Sequence, residues 1–133
     1  MECHRNGARL AVPSGSVLAE VLYVGDEFER EEVARVRRRV RRGWRALGIG
    51  ANNGFYPILL GKTVRQNGRA GSLEPFVPVA GYLRSNVERN GVTNIDVIES
   101  ATADVAGVLE LPVFGNGGDV YKPLGVSRGG ARV

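Results

Sequence analysis

Apolar runs of strand length alternate with segments of helical periodicity along the middle of this chain. That alternation limits the fold more than any other feature. The runs at 45–49, 69–73 and 94–98 have the length and composition of buried strands. Between them, the apolar positions of 55–64 and 77–89 recur with the period of a helix. Strands separated by helices of ten to fifteen residues are typical of βαβ units, so the sequence predicts an α/β fold with a parallel sheet and flanking helices.

The chain is long enough for one domain. Its 133 residues and hydrophobic content of 43% suit a single core. We predict this domain at 17–113, with a fourth strand at 108–111. Residues 1–16 are interpreted as an N-terminal tail, and the glycine-rich segment 114–133 as a C-terminal tail.

Neither export nor metal binding is indicated. No apolar run approaches the roughly 18 residues of a membrane span, and the N-terminus lacks the clean apolar core of a signal peptide. Cys3 is the single cysteine, which excludes an internal disulfide and a zinc site built on cysteines. We therefore expect a cytoplasmic protein with no metal and no membrane partner. Neither Cys3 nor His4, the only histidine, has an identifiable catalytic partner.

One charged segment carries most of the net charge of +4. Residues 26–45 contain eight arginines and five acids, a difference of +3. The acids come first, which complements a helix dipole, and Val33, Val36 and Val40 form a narrow apolar stripe ending before a predicted C-cap at Gly43. Because base-stacking surfaces interleave aromatic residues and none interrupts the arginines of this helix, we interpret it as a solvated helix. Nucleic acid is not the expected partner, and a phosphate-binding patch is the alternative.

A glycine-rich turn lies between the first strand and the next helix. Gly48, Gly50 and Gly54 have the spacing G-x-G-x-x-x-G. Such a turn lets the backbone approach a ligand in front of a helix N-terminus. Asn53 occupies the position of the third glycine in a dinucleotide fingerprint, which disfavours an NAD-dependent oxidoreductase. No Lys-Ser or Lys-Thr follows at the place that a P-loop requires.

A carboxylate follows at the end of the second strand. Glu74 comes 24 positions after Gly50. A carboxylate at such a position can accept hydrogen bonds from both hydroxyls of a ribose. The turn and the carboxylate together therefore indicate a nucleoside cofactor.

Three segments in order resemble the FkbM-type family of S-adenosylmethionine-dependent methyltransferases. They are LGIGANNGFY at 47–56, the Glu74-Pro75 pair, and NVERNGVTN at 86–94. The resemblance extends over about 17–118, most of the chain. It implies a Rossmann-like class I methyltransferase fold, S-adenosylmethionine as the cofactor, and transfer of a methyl group to a hydroxyl oxygen of a small molecule, such as a sugar or secondary metabolite.

The resemblance also implies a set of cofactor-binding residues. The glycines would lie beneath the methionine part of the cofactor, with an asparagine near its carboxylate. The glutamate would hold the ribose, and the remaining residues would flank the adenine. In chain order these positions are Gly48, Gly50, Asn52, Gly54, Glu74, Pro75, Phe76, Ser100 and Ala101.

This chain departs from the family pattern in two ways. Gly48 stands where family members usually carry an acidic residue. The later strands of the fold, which supply the acceptor pocket and the base, have no counterpart after residue 111, so we expect a truncated domain and assign no catalytic residue. Its open sheet edge would be covered by self-association or by a partner. The alternative function is an inactive remnant that acts as a cofactor-binding or interaction module.

Overall fold

The computed structural model describes residues 2–14, 19–21, 29–104 and 106–107. Two strands, β1 (Glu2–Arg5) and β2 (Ala8–Ala11), come first. They are followed by α1 (Arg30–Arg39), β3 (Arg45–Ile49), α2 (Phe55–Val64), β4 (Arg69–Leu73), α3 (Val77–Arg89) and β5 (Ile95–Ile98). None of the helices in the described ranges is long and apolar enough to cross a membrane.

Strands β3, β4 and β5 form a parallel sheet in that order, with β4 in the centre. Both connections step in the same direction, so right-handed crossovers place α2 and α3 on the same face of the sheet. Ala70 and Ser72 of β4 are completely buried, whereas Leu47 and Ile49 of β3 are 59% and 62% exposed. The helices thus cover one face, and the alternate positions of β3 lie on the other.

The predicted α/β pattern is confirmed through residue 98. The strands at 45–49 and 69–73 and the helices at 55–64 and 77–89 have the predicted bounds. The third strand begins one residue late, at Ile95. The side-chain nitrogen of Asn94 donates instead to loop carbonyls, including that of Arg65 at 2.7 Å. The predicted strand at 108–111 and the predicted tail at 114–133 lie outside the described residues.

The N-terminal residues depart from the predicted tail. β1 and β2 pair as an antiparallel hairpin, and Leu10 and Val12 are 0% and 1% exposed within the core. The hairpin turns at Asn6 and Gly7, with φ of +49° and +80°. An Asn-Gly pair favours such two-residue turns because both positions need positive φ. The expectation of a tail over 1–16 therefore does not hold for residues 2–14.

Asn86 of α3 and Asn90, the residue that follows this helix, bond to the backbone of β2 as a neighbouring strand would. The Ala11 N–H donates to Asn86 Oδ1 at 2.7 Å, and Asn86 Nδ2 donates to the Ala11 carbonyl at 2.9 Å. Asn90 makes the same pair of bonds with Arg9, at 2.9 and 2.6 Å. Alternate strand residues lie about 6.8 Å apart and helical residues four apart about 6 Å, so each carboxamide meets one residue of the strand. The side chains thereby satisfy backbone groups that β2 would otherwise leave unpaired.

Helix α1 ends earlier than predicted. Its last residue is Arg39, and Val40 is extended, with φ of −79° and ψ of 132°. Gly43, the predicted C-cap, instead lies in the turn that leads into β3, with φ of +81°. Its N–H donates to the carbonyl of Val64, the last residue of α2, at 2.8 Å. The chain must leave the helix to make this bond, so the C-cap at Gly43 is wrong.

Candidate functional site

The loops that follow the three parallel strands are joined at one edge of the sheet. The Ala51 N–H donates to the Leu73 carbonyl at 2.9 Å, and the Glu74 N–H donates to the Ile98 carbonyl at 3.0 Å. Ligands of open α/β sheets bind outside the carboxyl ends of the strands. All nine predicted positions lie at this edge: Gly48, Gly50, Asn52, Gly54, Glu74, Pro75, Phe76, Ser100 and Ala101.

The glycine turn depends on left-handed backbone. Gly50, Asn52 and Gly54 have φ of +68°, +50° and +97°. A Cβ atom at Gly54 would lie 2.6 Å from Cδ1 of Leu83 in α3, whereas at Gly50 it would meet no atom within 4 Å. Glycine at 54 is therefore required by both conformation and packing. Above Gly50 there is space for a ligand to approach the backbone.

Replacing Gly54 with alanine is expected to lower the free energy of unfolding by roughly 2–4 kcal/mol. About half of this loss comes from the strain of holding alanine in the left-handed conformation, and the rest comes from the close contact of its Cβ with Leu83. Urea denaturation followed by circular dichroism measures the change. Gly48→Ala is the matched control: its Cβ would meet only the Gly71 carbonyl oxygen, at 3.8 Å, and should shift stability by less than about 1 kcal/mol. Equal losses in the two variants would contradict this description of the turn.

Glu74 joins the glycine turn to the start of α3. Its side chain is buried, and Oε2 accepts a hydrogen bond from the Asn52 N–H at 2.8 Å. Oε1 accepts from the Phe76 N–H at 3.0 Å. An ionised carboxylate has about four acceptor positions, so both oxygens can accept a further bond. The residue thus fits a ligand that presents two adjacent hydroxyl groups.

Two buried asparagines, Asn53 in the turn and Asn86 in α3, support the turn, and neither is among the predicted site residues. Asn86 is fully buried, and its Nδ2 donates to the Asn53 carbonyl at 2.7 Å. Asn53 is also buried, and its Oδ1 has no hydrogen-bond partner among the described residues. Asn86 therefore links the turn to the hairpin, and the turn keeps one buried acceptor. The four-residue spacing of Asn86 and Asn90 is the sequence signal that could have indicated the link to the hairpin.

A tyrosine on the first turn of α2 contacts the residue that precedes α1. The Tyr56 hydroxyl donates to Oε2 of Glu29. Burial, together with this hydrogen bond and the nearby charge, raises the pKa of Tyr56 well above its usual range. The phenol therefore stays protonated at neutral pH and is unsuited to remove a proton from an acceptor.

The remaining titratable candidates lie in the N-terminal hairpin. His4 is in β1, exposed, with Nε2 3.4 Å from Oε1 of Glu2. Cys3 is also in β1, far along the chain from the glycine turn. Among the residues that the structure describes, no group of three or more His, Cys, Asp or Glu side chains could hold a metal ion.

No family model matches the chain, and no curated protein sequence matches it. Its fold matches solved methyltransferases. TYW2 of M. jannaschii, in complex with AdoMet, has a TM-score of 0.59 and 17% identity, over 79% of this chain and 45% of that one. A putative rRNA-methylase of Clostridium thermocellum has a TM-score of 0.53 and 14% identity, over 54% and 39%. A SAM-dependent methyltransferase of Aquifex aeolicus has a TM-score of 0.50 and 23% identity, over 62% and 46%.

These likenesses establish the fold class. The chain has a Rossmann-like class I methyltransferase fold. Its described residues form a partial domain of this fold, with three parallel strands and flanking helices. It spans less than half the length of the structures named above. At these identities the likeness shows the fold alone.

Proposed function

We propose that this chain is the cofactor-binding part of an S-adenosylmethionine-dependent methyltransferase. The observation that carries the proposal is the buried carboxylate of Glu74, held against the glycine turn by the Asn52 N–H at 2.8 Å. It stands at the end of the strand next to the turn, with acceptor capacity on both oxygens. A ribose with two hydroxyl groups is the ligand that this arrangement suits.

The other predicted positions fit the remaining parts of that cofactor. Gly50 offers open backbone, and the positive dipole end of α2 lies directly after Gly54, where it favours a carboxylate. Pro75 and Phe76, and across the edge Ser100 and Ala101, are half-buried and would flank a planar base. When bound, the cofactor supplies a methyl group on a sulfonium centre.

We propose that the acceptor is a hydroxyl oxygen of a small molecule, a sugar or secondary metabolite. The support is the FkbM-type resemblance of the segments at 47–56, 74–75 and 86–94. One of the similar structures is named a putative rRNA-methylase, so the fold alone does not select an acceptor. The alternative proposal, a module that binds the cofactor without turnover, is favoured by the lack of a carboxylate at Gly48.

Transfer of a radiolabelled methyl group tests the acceptor class. The purified chain is incubated with labelled S-adenosylmethionine and, separately, with hydroxylated sugars, a peptide containing isoaspartate, and RNA. Label in the sugar fraction that is stable to mild base supports transfer to a hydroxyl. Label in RNA or in the peptide contradicts it, and binding without transfer to any acceptor supports the inactive module.

The sheet edge at β3 is the proposed place for a partner or a second copy. In the described part of the chain, β3 pairs only with β4. An unpaired parallel edge with exposed Leu47 and Ile49 favours association. Light scattering measures the mass of the species in solution, and a monomer over the whole micromolar range would contradict self-association.

Restoring an acid at position 48 is expected to tighten binding of S-adenosylmethionine by roughly one to two decades. A charge-assisted contact to the cationic methionine end contributes about 1.5–3 kcal/mol. The site has room, since a Cβ at Gly48 meets only the Gly71 carbonyl at 3.8 Å. Calorimetric titration of Gly48→Asp gives the affinity. Gly48→Asn has the same shape without charge, so an equal gain in both variants, or none in either, would contradict the placement of the turn.

A further inference from the structure

A long segment of the chain, from within α1 to the end of β4, contains basic residues and no acidic ones. Between residues 33 and 73 the sequence has ten Lys and Arg residues and no Asp or Glu. Seven of the ten are arginines between 35 and 45, and all seven are exposed. Arg35 pairs with Glu31, and Arg37 donates to the Asn6 carbonyl. Among the residues that the structure describes, no side-chain partner is present for the remaining five: Arg38, Arg39, Arg41, Arg42 and Arg45.

The helix dipole explains only part of this charge. α1 ends at Arg39, so its dipole accounts for cations in its last turn. Arg41, Arg42 and Arg45 lie beyond that end, in the turn and at the start of β3. Like charges held so close repel one another unless an anion lies between them. Helix stability therefore does not explain why arginines occupy these three positions after the helix.

An exposed tryptophan lies among these arginines. Trp44 stands between Arg42 and Arg45 and is 51% exposed. Its backbone N–H donates to the Arg41 carbonyl at 3.2 Å, and its backbone carbonyl accepts from the Arg69 N–H at 3.1 Å. The ring thus projects from backbone that is fixed on both sides. The expectation that no aromatic residue interleaves the arginines is therefore wrong at Trp44.

The end of α2 adds a further cation to the same edge. The bond from the Gly43 N–H to the Val64 carbonyl, at 2.8 Å, places the start of the next loop beside the turn. Arg65 in that loop is exposed. This is the edge at which the parallel strands begin, and strands of five residues separate it from the glycine turn by about 16 Å. The two surfaces are therefore distinct, and a ligand on one leaves the other open.

We propose that the cationic edge, residues 38–45 with Arg65, binds single-stranded nucleic acid. Guanidinium groups are suited to phosphates because they donate in pairs. The ring of Trp44 offers a face on which an unpaired base can stack, which contributes about 1–3 kcal/mol per base. The bases of a duplex are stacked on one another, so a duplex could contact the arginines through its phosphates but could not stack a base on the Trp44 ring. This inference is independent of the proposed methyltransferase activity.

Intrinsic fluorescence tests the proposal directly because Trp44 is the only tryptophan in the chain. The full chain is titrated with a twelve-nucleotide deoxythymidine oligomer at several salt concentrations. Saturable quenching is expected, with log affinity falling by about 0.7 per phosphate contact for each decade of salt. The double variant Arg41→Ala with Arg42→Ala should bind roughly tenfold or more weaker, and its salt slope should fall by about 1.4.

A matched variant and two competing ligands make the result decisive. The double variant Arg84→Gln with Arg89→Gln removes the same amount of positive charge from α3, where both arginines are ion-paired. It should change the affinity for the oligomer by less than about twofold. Circular dichroism verifies that both double variants are folded. An equal loss in the two would show that only net charge matters and overturn the proposal. Equal affinity for a duplex without quenching, or tighter binding to phosphatidylserine vesicles, would also overturn it.

Discussion

Replacing Glu74 with alanine is expected to weaken binding of S-adenosylmethionine by about a hundredfold or more. Hydrogen bonds to an ionised acceptor contribute about 1.5–3 kcal/mol each, and the ribose would lose two of them. The turn would also lose the bond at the Asn52 N–H, 2.8 Å, that holds it against the carboxylate. Calorimetric titration measures the change in affinity.

Three variants separate the charge of Glu74 from its structural role. Glu74→Gln keeps the shape, but a carboxamide has only one accepting oxygen. Its nitrogen would face the Asn52 N–H or the Phe76 N–H and could not accept from it, so one of the two bonds is lost. We expect it to bind nearly as weakly as the alanine variant while unfolding at a higher urea concentration. Glu88→Ala removes one negative charge from an exposed position of α3 and should bind normally. Unchanged affinity in Glu74→Gln would remove Glu74 from the cofactor site.

Replacing Asn86 with alanine is expected to lower the free energy of unfolding by about 3 kcal/mol or more. This side chain is fully buried and makes three hydrogen bonds, two with Ala11 and one with the Asn53 carbonyl. Each buried group left without a partner costs about 1–3 kcal/mol. The loss should appear in urea denaturation as a lower midpoint with a similar slope, because the same fold is opened.

Asn90→Ala is the matched control for this effect. Asn90 makes the equivalent pair of bonds with Arg9, but at the exposed end of the same ladder. Water can replace the lost partner there, so a loss of about 1 kcal/mol is expected. A smaller loss in Asn86→Ala than in Asn90→Ala would contradict the role given to Asn86, that of joining the hairpin to the glycine turn.

The alternation of strands and helices could be predicted because its signals are local. Apolar periodicity and the Gly-rich and Asn-Gly boundaries gave the bounds from residue 45 to residue 98 with one residue of error. The glycine turn and Glu74 were also predictable as neighbours, since the carboxyl ends of adjacent parallel strands share an edge.

The hairpin and the end of α1 depended on contacts between distant segments. β2 is satisfied by Asn86 and Asn90, about 80 residues further along the chain, which no local pattern shows. Helix α1 stops at Arg39, and the turn that follows it is bonded at Gly43 to the end of α2, a distant segment. Asn6-Gly7, between short alternating runs, is a local signal for the hairpin turn.

The place of Trp44 between Arg42 and Arg45 is visible in the sequence itself, whereas its exposure is not. With a helix that reaches Gly43, Arg41 and Arg42 would belong to the helix. The observed end at Arg39 moves Arg41 and Arg42 into a turn beside the exposed ring. The burial of Trp44 is set by tertiary packing, which the sequence pattern does not report.

Calorimetric titration of the purified chain with S-adenosylmethionine tests the central claim most directly. S-adenosylhomocysteine, which has the same ribose and adenine, and NAD, a different nucleoside cofactor, are titrated in parallel. We expect saturable heat with one site for the first two ligands and none for NAD, and loss of that heat in Glu74→Gln. A chain that is folded by circular dichroism and gives no heat with S-adenosylmethionine would contradict the account.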